Sequence, residues 1–187
     1  MTQVRIIPTG QPRHRSSPSA SAQQRLDMVR LACADNPLFV VDDREIRRVG
    51  PSYSIDTVSD LRTELGAEQP LCFLLGADAF LGLSSWQRWQ ELFYFVHFVV
   101  VHRPGFVQLN WLDSMPPALQ QAFTERQTSV ASTLANAPAG RILTYAMTPL
   151  DIAASRIRAD LQQNKSPRYL VPDAILNYIS QNKLYSE

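Results

Sequence analysis

The sequence predicts an α/β fold built on a mostly parallel β-sheet. Short apolar segments of strand length alternate along the chain with longer amphipathic segments of helical period. Residues 71–75 form an unbroken apolar run, which is typical of a strand whose two faces are both covered by helices. The 187 residues show no internal repeat and no long linker, so we expect a single domain over residues 1–187.

The first half of the chain predicts two strands and two helices. Residues 4–8 are mostly apolar and break at a Pro-Thr-Gly turn, because proline removes a strand donor. Apolar residues recur at helical spacing after a polar loop at 11–21, and Asn36-Pro37 supplies a stop. Ser54 is placed to cap the next amphipathic stretch, and Gly66 to end it. The predicted elements are a strand at 4–8, a helix at 22–35, a strand at 39–41 and a helix at 54–65.

The second half predicts three further strands and four helices. Pro104-Gly105 ends the strand that follows a tryptophan-containing segment, and Pro172 has a position favoured in the first turn of a helix. The predicted strands are 71–75, 98–101 and 141–145, and the predicted helices are 86–95, 116–126, 155–163 and 172–182. Strands that alternate with helices in this way indicate a doubly wound sheet.

Composition argues against several classes of partner and site. The formal net charge of +1 gives no electrostatic reason to bind long nucleic acid or an anionic membrane. Cys33 and Cys72 lie far apart without metal-ligand spacing, which argues against a disulfide framework and a zinc site. No apolar run reaches the roughly 20 residues that span a bilayer, and Met1–Gly10 lacks the pattern of a secretion signal. The expected location is therefore the cytoplasm.

Candidate ligand-binding residues follow the predicted strands, where the crevice of an open α/β sheet lies. His14 and Arg15 stand after the first strand and could both meet phosphate oxygens, although a solvated basic loop has the same composition. Gly76 lets a ligand approach the backbone, and the carboxylate of Asp78 can accept hydrogen bonds from ribose hydroxyls. A turn glycine followed by a capping aspartate would look the same.

Two predicted helix starts carry further candidates. Ser54 follows Tyr53 at a point where N–H groups and a hydroxyl can hold a carboxylate or a phosphate. Simple capping of the helix is the alternative for Ser54. Ser155 and Arg158 offer a hydroxyl and a positive charge at the start of a late helix, with an ordinary exposed helix surface as the alternative.

Aromatic and imidazole groups complete the set of candidates. Trp86 and Trp89 lie three apart on one predicted helical face, so that one can stack on a flat ring while the other packs into the core. His97 precedes a buried strand and is predicted to be structural, whereas His102 and Arg103 at its far end are better placed for a ligand. The sequence has no HExxH, GxSxG or Walker motif, which disfavours covalent hydrolytic catalysis.

Five short signals occur in a characteristic order: Pro51–Thr57, the apolar strand at 71–75, Gly76-Ala77-Asp78, Trp86 and Ile152–Arg158. Together they resemble bacterial nicotinate-nucleotide adenylyltransferase, over essentially all of the chain. The resemblance implies a Rossmann-like nucleotidyltransferase that moves the adenylyl group of ATP to nicotinate mononucleotide. Its products would be deamido-NAD and pyrophosphate, in NAD biosynthesis.

The resemblance also implies a role for each candidate residue. It places Trp86 on the pyridine ring, Tyr53 and Ser54 at the nicotinate carboxylate, and Asp78 on a ribose. Ala153 stands where the family signature Ile-Ser-x-Thr-x-Ile-Arg has its serine, so residue 153 receives no role. The implied ATP-binding residues are His14, Arg15, Gly76, Asp78, Ser155 and Arg158, and the implied mononucleotide-binding residues are Tyr53, Ser54, Trp86 and Arg103.

Family members begin with a strand and a Gly-x-Phe-x-Pro-x-His-x-Gly-His-type loop, and no segment here matches them. Catalytic residues therefore stay unassigned, since His14 lies in a different loop. We expect an N-terminally incomplete domain whose first β-α unit is missing. Burial of each core side chain contributes roughly 1.5–3 kcal/mol to stability. The total free energy of unfolding of a domain is only about 5–15 kcal/mol, so the loss of several such side chains could unfold it. Weak or absent catalysis is the expectation for the chain as it stands.

The expected partners are ATP and nicotinate mononucleotide, with Mg²⁺ bound to the ATP and no resident metal site. The sequence does not decide between a monomer and a homo-oligomer. Two other readings also remain: a catalytically silent nucleotide-binding remnant of the same fold, and a related adenylyltransferase with another phosphorylated substrate. Ser54 and Trp86 suit a flat acid and argue against the second of these.

Overall fold

Parallel strands organise both parts of the chain in the computed structural model, which describes residues 3–11, 19–102, 109–148, 150 and 152–185. The chain divides into a first unit, Met1–Ser52 with Asp151–Glu187, and a second unit, Tyr53–Leu150. All strand pairs in both units are parallel where the structure describes them. The predicted α/β class with a mostly parallel sheet is confirmed, whereas the single domain stays a prediction.

The first unit contains a two-stranded parallel sheet and its crossover helix. Val4 lies opposite Phe39 in this sheet. The crossover helix begins at Ser21, whose hydroxyl accepts from the Gln24 N–H while the Gln24 side chain accepts from the Ser21 N–H. The elements are β1 (Val4–Ile6), α1 (Ala22–Cys33), β2 (Phe39–Val41), α2 (Arg44–Arg47), and, from the C-terminal part, α8 (Ala154–Gln162) and α9 (Asp173–Gln181).

The second unit contains a four-stranded parallel sheet in the order β3-β4-β6-β5. Its strands are β3 (Cys72–Gly76), β4 (His97–His102), β5 (Gln127–Thr128) and β6 (Ile142–Ala146). Its helices are α3 (Ser54–Leu65), α4 (Ala77–Leu81), α5 (Leu92–Phe95), α6 (Leu109–Ser114) and α7 (Pro117–Arg126). The left-handed φ of 86° at Gly66 ends α3, as the sequence predicts.

Aromatic side chains form the centre of the second unit's core. Phe98 is fully buried, and its ring centroid lies 5.1 Å from that of Phe93, 5.8 Å from Phe73 and 6.1 Å from Phe80. These separations and the tilted planes suit edge-to-face attraction, which adds to the roughly 1.5–3 kcal/mol that burial of each side chain contributes. The continuous apolar run of β4 is therefore explained in part by the packing of Phe98 and Val100 into this core.

His97 is a structural residue of the core, as predicted. Its side chain is fully buried at the start of β4. The Arg141 main-chain N–H donates to its Nδ1 over 3.0 Å, so the ring proton must lie on Nε2, which donates to the Ala137 carbonyl at 2.8 Å. Burial lowers the pKa of His97, and the positive charges of Arg141 and Arg62 lower it further, against the opposing effect of the Ala137 hydrogen bond.

We expect the free energy of unfolding to fall as the pH drops below about 6.5. The unfolded chain then takes up a proton on His97 that the folded chain still excludes. This contribution is fully present above the unfolded pKa and is lost as the pH falls through the lower folded pKa. Urea unfolding between about pH 7.5 and pH 5 measures the slope. The variant His97→Gln should show a shallower slope, and equal slopes would contradict this account.

Several predicted boundaries and elements differ from the structure. The helix predicted over 86–95 is wrong: only Trp89–Glu91, as a 3₁₀ turn, and Leu92–Phe95, as α5, are helical there. Pro172 is the residue before α9 and not part of its first turn. The short elements α2, α6 and β5 carry no periodic signal and were not predicted. No helix in the described ranges is long and apolar enough to cross a membrane.

Candidate functional site

The carboxyl edge of the four-stranded sheet is the place where a parallel sheet presents its loops to a ligand. Gly76 ends β3 opposite Val101, and His102 ends β4 opposite Ala146 of β6. The Met147 N–H donates to the His102 carbonyl at 3.0 Å and extends the ladder past the last strand residue. Three adjacent strands therefore end at nearly the same level.

Gly76 and Asp78 lie exposed at this edge, at the junction of β3 and α4. Gly76 has an ordinary φ of −73°, and a Cβ built on it would meet no atom within 4 Å. Neither backbone conformation nor local packing therefore requires glycine. The bare backbone beside an exposed carboxylate is a suitable arrangement for a ligand that approaches the main chain and presents hydroxyl groups.

Tyr53 and Ser54 begin α3, and both are half-buried. The prediction that Ser54 caps this helix is wrong, because Tyr53 occupies the N-cap position and Ser54 is the first helical residue. No side chain caps the helix at Tyr53. The Asp56 N–H donates to the Tyr53 carbonyl at 3.2 Å. The N–H groups of Ser54 and Ile55 come before it and have no carbonyl of the helix to bond, so this terminus can attract an anionic group.

Trp86 lies outside any helix and packs against the core through a T-shaped contact with Phe73. It is half-buried, and its ring centroid lies 5.9 Å from that of Phe73, at an interplanar angle of 66°. Trp89 instead packs against Phe93 at 6.2 Å. The two tryptophans do not share a helical face, because Arg88 between them has a left-handed backbone with φ 51°. Because Trp86 is only half-buried, part of the residue stays accessible to solvent.

Ser155 and Arg158 belong to the first unit, in the first turns of α8. Both side chains are exposed. The residue before the helix is Ala153, which provides no side-chain cap, in agreement with the loss of the signature hydroxyl at this position. The Ala153 carbonyl accepts the Ile157 N–H at 3.0 Å and so closes the first helical turn.

The predicted site residues divide between the two units. The second unit contains Tyr53, Ser54, Gly76, Asp78 and Trp86, and the first contains Ser155 and Arg158. Tyr53 and Trp86 pack against the same buried core, into which Phe73 of β3 also packs. The structure therefore brings the mononucleotide candidates of the second unit around one core, and Gly76 with Asp78 beside each other. His14, Arg15 and Arg103 lie outside the described residues.

Arg88 and Glu91, which lie on either side of Trp89, were not among the residues predicted from the sequence. Arg88 Nε donates to Glu91 Oε1 at 2.8 Å and Nη2 to Oε2 at 2.5 Å, a two-pronged contact. Their spacing of three residues was visible in the sequence, but the same spacing suits an ordinary helical ion pair. Within the described ranges, no three His, Cys, Asp or Glu side chains cluster as a metal site.

Comparison with known proteins identifies the family. A family model described as cytidylyltransferase-like matches residues 2–172. A "probable nicotinate-nucleotide adenylyltransferase" of Dechloromonas aromatica is 48% identical over 183 residues, which cover 97% of this chain and 83% of that protein. The chain belongs to the nicotinate-nucleotide adenylyltransferase family. The resemblance drawn from the five sequence signals is confirmed.

A second relative supports the assignment to this family, and a solved structure supports the fold. The Aeromonas hydrophila relative, with the same printed name, is 44% identical over 185 residues, 99% of this chain and 84% of that protein. The solved structure "Plasmodium falciparum nicotinic acid mononucleotide adenylyltransferase complexed with NaAD" aligns with a TM-score of 0.70. It covers 99% of this chain and 83% of that one at 15% identity, and it therefore supports the fold alone. The chain therefore belongs to the nucleotidyltransferases, which is the class of enzyme predicted from the sequence.

Proposed function

We propose that this chain transfers the adenylyl group of ATP to nicotinate mononucleotide, with deamido-NAD and pyrophosphate as products. The observation that carries the proposal is the 48% identity to the probable nicotinate-nucleotide adenylyltransferase of Dechloromonas aromatica, across 83% of that protein. The exposed, unobstructed backbone of Gly76 beside the Asp78 carboxylate supports it, because this combination can receive a nucleoside.

The proposed reaction is an in-line displacement. A phosphate oxygen of nicotinate mononucleotide attacks the α-phosphorus of ATP, a new P–O bond forms, and the bond to the β-phosphate oxygen breaks to release pyrophosphate. The protein contributes alignment of two anionic reactants and neutralisation of the charge that develops, as in other phosphoryl transfers. No covalent enzyme intermediate is required, in keeping with the absence of a nucleophile motif.

The residues divide between the two reactants. For nicotinate mononucleotide, we propose that the face of Trp86 stacks on the pyridine ring and that the start of α3, at Tyr53 and Ser54, receives the carboxylate. For ATP, Asp78 accepts hydrogen bonds from ribose hydroxyls while Gly76 gives the ligand access to the main chain. The proposed phosphate contacts are His14, Arg15, Ser155 and Arg158, with Arg103 on the mononucleotide side.

We propose that Mg²⁺ enters as part of the ATP substrate. Mg²⁺ keeps several waters and binds substrate phosphates readily, so few protein ligands are required. The residues of the chain then act on the nucleotide and not on the ion.

A product assay with a binding measurement tests the proposal. The full chain is incubated with ATP, Mg²⁺ and nicotinate mononucleotide, and deamido-NAD is detected by chromatography. Formation of deamido-NAD supports the transferase. Calorimetric binding of both ligands without product would support the catalytically silent alternative. Equal or greater turnover with nicotinamide mononucleotide would contradict the preference for the acid.

The variant Gly76→Ala tests the adenosine side separately from folding. Because the added methyl meets no protein atom, the free energy of unfolding should change by less than about 0.5 kcal/mol. We expect the dissociation constant for ATP to rise about tenfold, equivalent to about 1.4 kcal/mol, because the methyl obstructs close approach to the backbone. Calorimetry with ATP measures the effect.

Gly82→Ala is the matched control for this variant. The Cβ added there would lie 3.6 Å from its nearest neighbour, the Ala79 carbonyl oxygen, which is ordinary contact. Gly82→Ala should bind ATP as the parent chain does. Equal ATP affinities for Gly76→Ala and Gly82→Ala would remove Gly76 from the proposed site.

A further inference from the structure

The main chain of Trp86 is held from both sides by a short turn. The Trp86 N–H donates to the Leu83 carbonyl at 2.9 Å, and the Trp86 carbonyl accepts the Trp89 N–H at 3.3 Å. The second bond closes a four-residue turn whose inner residues are Gln87 and Arg88. The direction in which the indole leaves the backbone therefore depends on the conformation of this turn.

Arg88 adopts a backbone conformation that side chains disfavour. Its φ of 51° and ψ of 39° are left-handed, and it is the only non-glycine residue with a positive φ in the described part of the second unit. Glycine or asparagine would adopt this conformation more readily than arginine does. An interaction of the Arg88 side chain must therefore favour it.

Glu91 supplies that interaction. Its two carboxylate oxygens accept from Nε and Nη2 of Arg88, and its own N–H donates to the Arg88 carbonyl at 3.0 Å. One residue thus closes the loop through both main chain and side chain. The hydrogen bonds that Arg88 donates to the Glu91 carboxylate raise the pKa of Arg88 and lower the pKa of Glu91, because they favour the charged form of each group.

The turn also interacts electrostatically with the start of α3. The charge of Asp56, in the first turn of that helix, acts on the guanidinium of Arg88. Asp56 follows Tyr53 and Ser54 closely in the chain. Tyr53 at the start of α3 and Trp86 pack against the same buried core of the second unit.

We propose that Arg88, held in its left-handed conformation by Glu91, is a positioning residue that sets the orientation of the Trp86 ring. Arg88 does not contact the substrate in this scheme; it acts through Trp86. This proposal rests on the proposed function only for the identity of the ligand, because the orientation of the Trp86 ring is a property of the ligand-free protein.

Two readouts test this proposal in the full chain. The first is the Nε1–H resonance of Trp86 in the ligand-free protein, assigned by its loss in Trp86→Phe. The second is the dissociation constant for nicotinate mononucleotide, measured by calorimetry. Arg88→Ala removes both the guanidinium and any compensation for the left-handed backbone. It should split or broaden the Trp86 resonance and weaken binding about tenfold, equivalent to about 1.4 kcal/mol.

Two further variants separate the backbone from the ion pair. Arg88→Asn also lacks the guanidinium but tolerates the left-handed conformation, and it should recover more than half of the logarithmic loss in affinity. Glu91→Gln keeps arginine but weakens the clamp, and it should lower affinity about threefold, equivalent to about 0.7 kcal/mol. Affinity for ATP should change less than twofold in every variant.

Lys183→Ala is the matched control. Lys183 is also a cationic residue with a left-handed backbone, φ 49°, but it lies in the first unit. It should leave the Trp86 resonance unchanged. An unaltered Trp86 resonance in Arg88→Ala, or an equal effect of Lys183→Ala, would overturn the proposal. A shifted resonance in a chain that binds no nicotinate mononucleotide would support the positioning role and reject the substrate.

Discussion

Replacement of Gly10 by alanine is expected to lower the free energy of unfolding by roughly 3 kcal/mol, at the upper end of overpacking effects. Gly10 is buried, and a Cβ built on it would lie 2.1 Å from the Glu45 carbonyl oxygen and 2.9 Å from Ser52 Oγ. A main-chain oxygen cannot rotate away, so the backbone itself must move. The displaced segment also accepts a hydrogen bond from Arg25 Nη2 to the Gly10 carbonyl, 2.9 Å long.

Denaturant unfolding followed by circular dichroism measures the effect of Gly10→Ala, and amide hydrogen exchange locates it. Faster exchange should concentrate in β1, β2 and α1 of the first unit. The double variant Gly10→Ala with Ser52→Ala distinguishes the two obstacles, because it removes only the hydroxyl. Recovery of more than half the lost stability in the double variant would show that the Glu45 carbonyl is not the main obstacle.

Replacement of Arg62 by methionine is expected to lower the free energy of unfolding by about 2–4 kcal/mol, through loss of charge-assisted hydrogen bonds. Arg62 Nη1 donates to the carbonyls of Gly66, Ala67 and Gln69, at 3.2, 3.3 and 2.5 Å. Its Nη2 donates to the Phe95 carbonyl and, at 3.0 Å, to the Pro138 carbonyl. One guanidinium thus joins the ends of α3 and α5 to the connection before β6.

Two further variants provide the comparison for the loss of stability expected in Arg62→Met. Arg62→Lys keeps the charge but lacks the planar fork, so it should restore only part of the stability. Arg141→Met removes an exposed arginine of the same unit and should change stability by less than about 0.5 kcal/mol. An Arg62→Met protein as stable as Arg141→Met would contradict the role given to Arg62. Urea unfolding of all four proteins makes the comparison.

Arg62 also shows where sequence reasoning ends. Its position in the apolar period of α3 identified it only as a member of an amphipathic stretch. Burial lowers the pKa of its guanidinium, and the Nε atom is buried without a hydrogen-bond partner in the described ranges. Its acceptors at Phe95 and Pro138 lie 33 and 76 residues away along the chain. No local pattern can contain contacts of that separation.

The prediction of a helix over the tryptophan segment, residues 86–95, was wrong for a different reason. Trp86, Trp89 and the apolar residues after them have helical spacing, and short helical pieces do form at Trp89–Glu91 and Leu92–Phe95. Periodicity cannot detect the left-handed Arg88, because a single reversed residue leaves the spacing unchanged. The order of signals nevertheless identified the family, since it depends on residue identities and not on the conformation between them.

Local sequence features were sufficient to predict the α/β class, the positions of most strands and helices, and the resemblance to the nicotinate-nucleotide adenylyltransferase family. These follow from local periodicity, turn residues such as Gly66, and a characteristic series of side chains. The tertiary structure decided the turn at Trp86, the tautomer of His97 and the close approach at Gly10. The tautomer of His97 and the close approach at Gly10 depend on atoms that packing brings together from distant parts of the chain. The turn at Trp86 is local, but it depends on the left-handed backbone of Arg88 and its contact with Glu91, which residue spacing alone does not reveal.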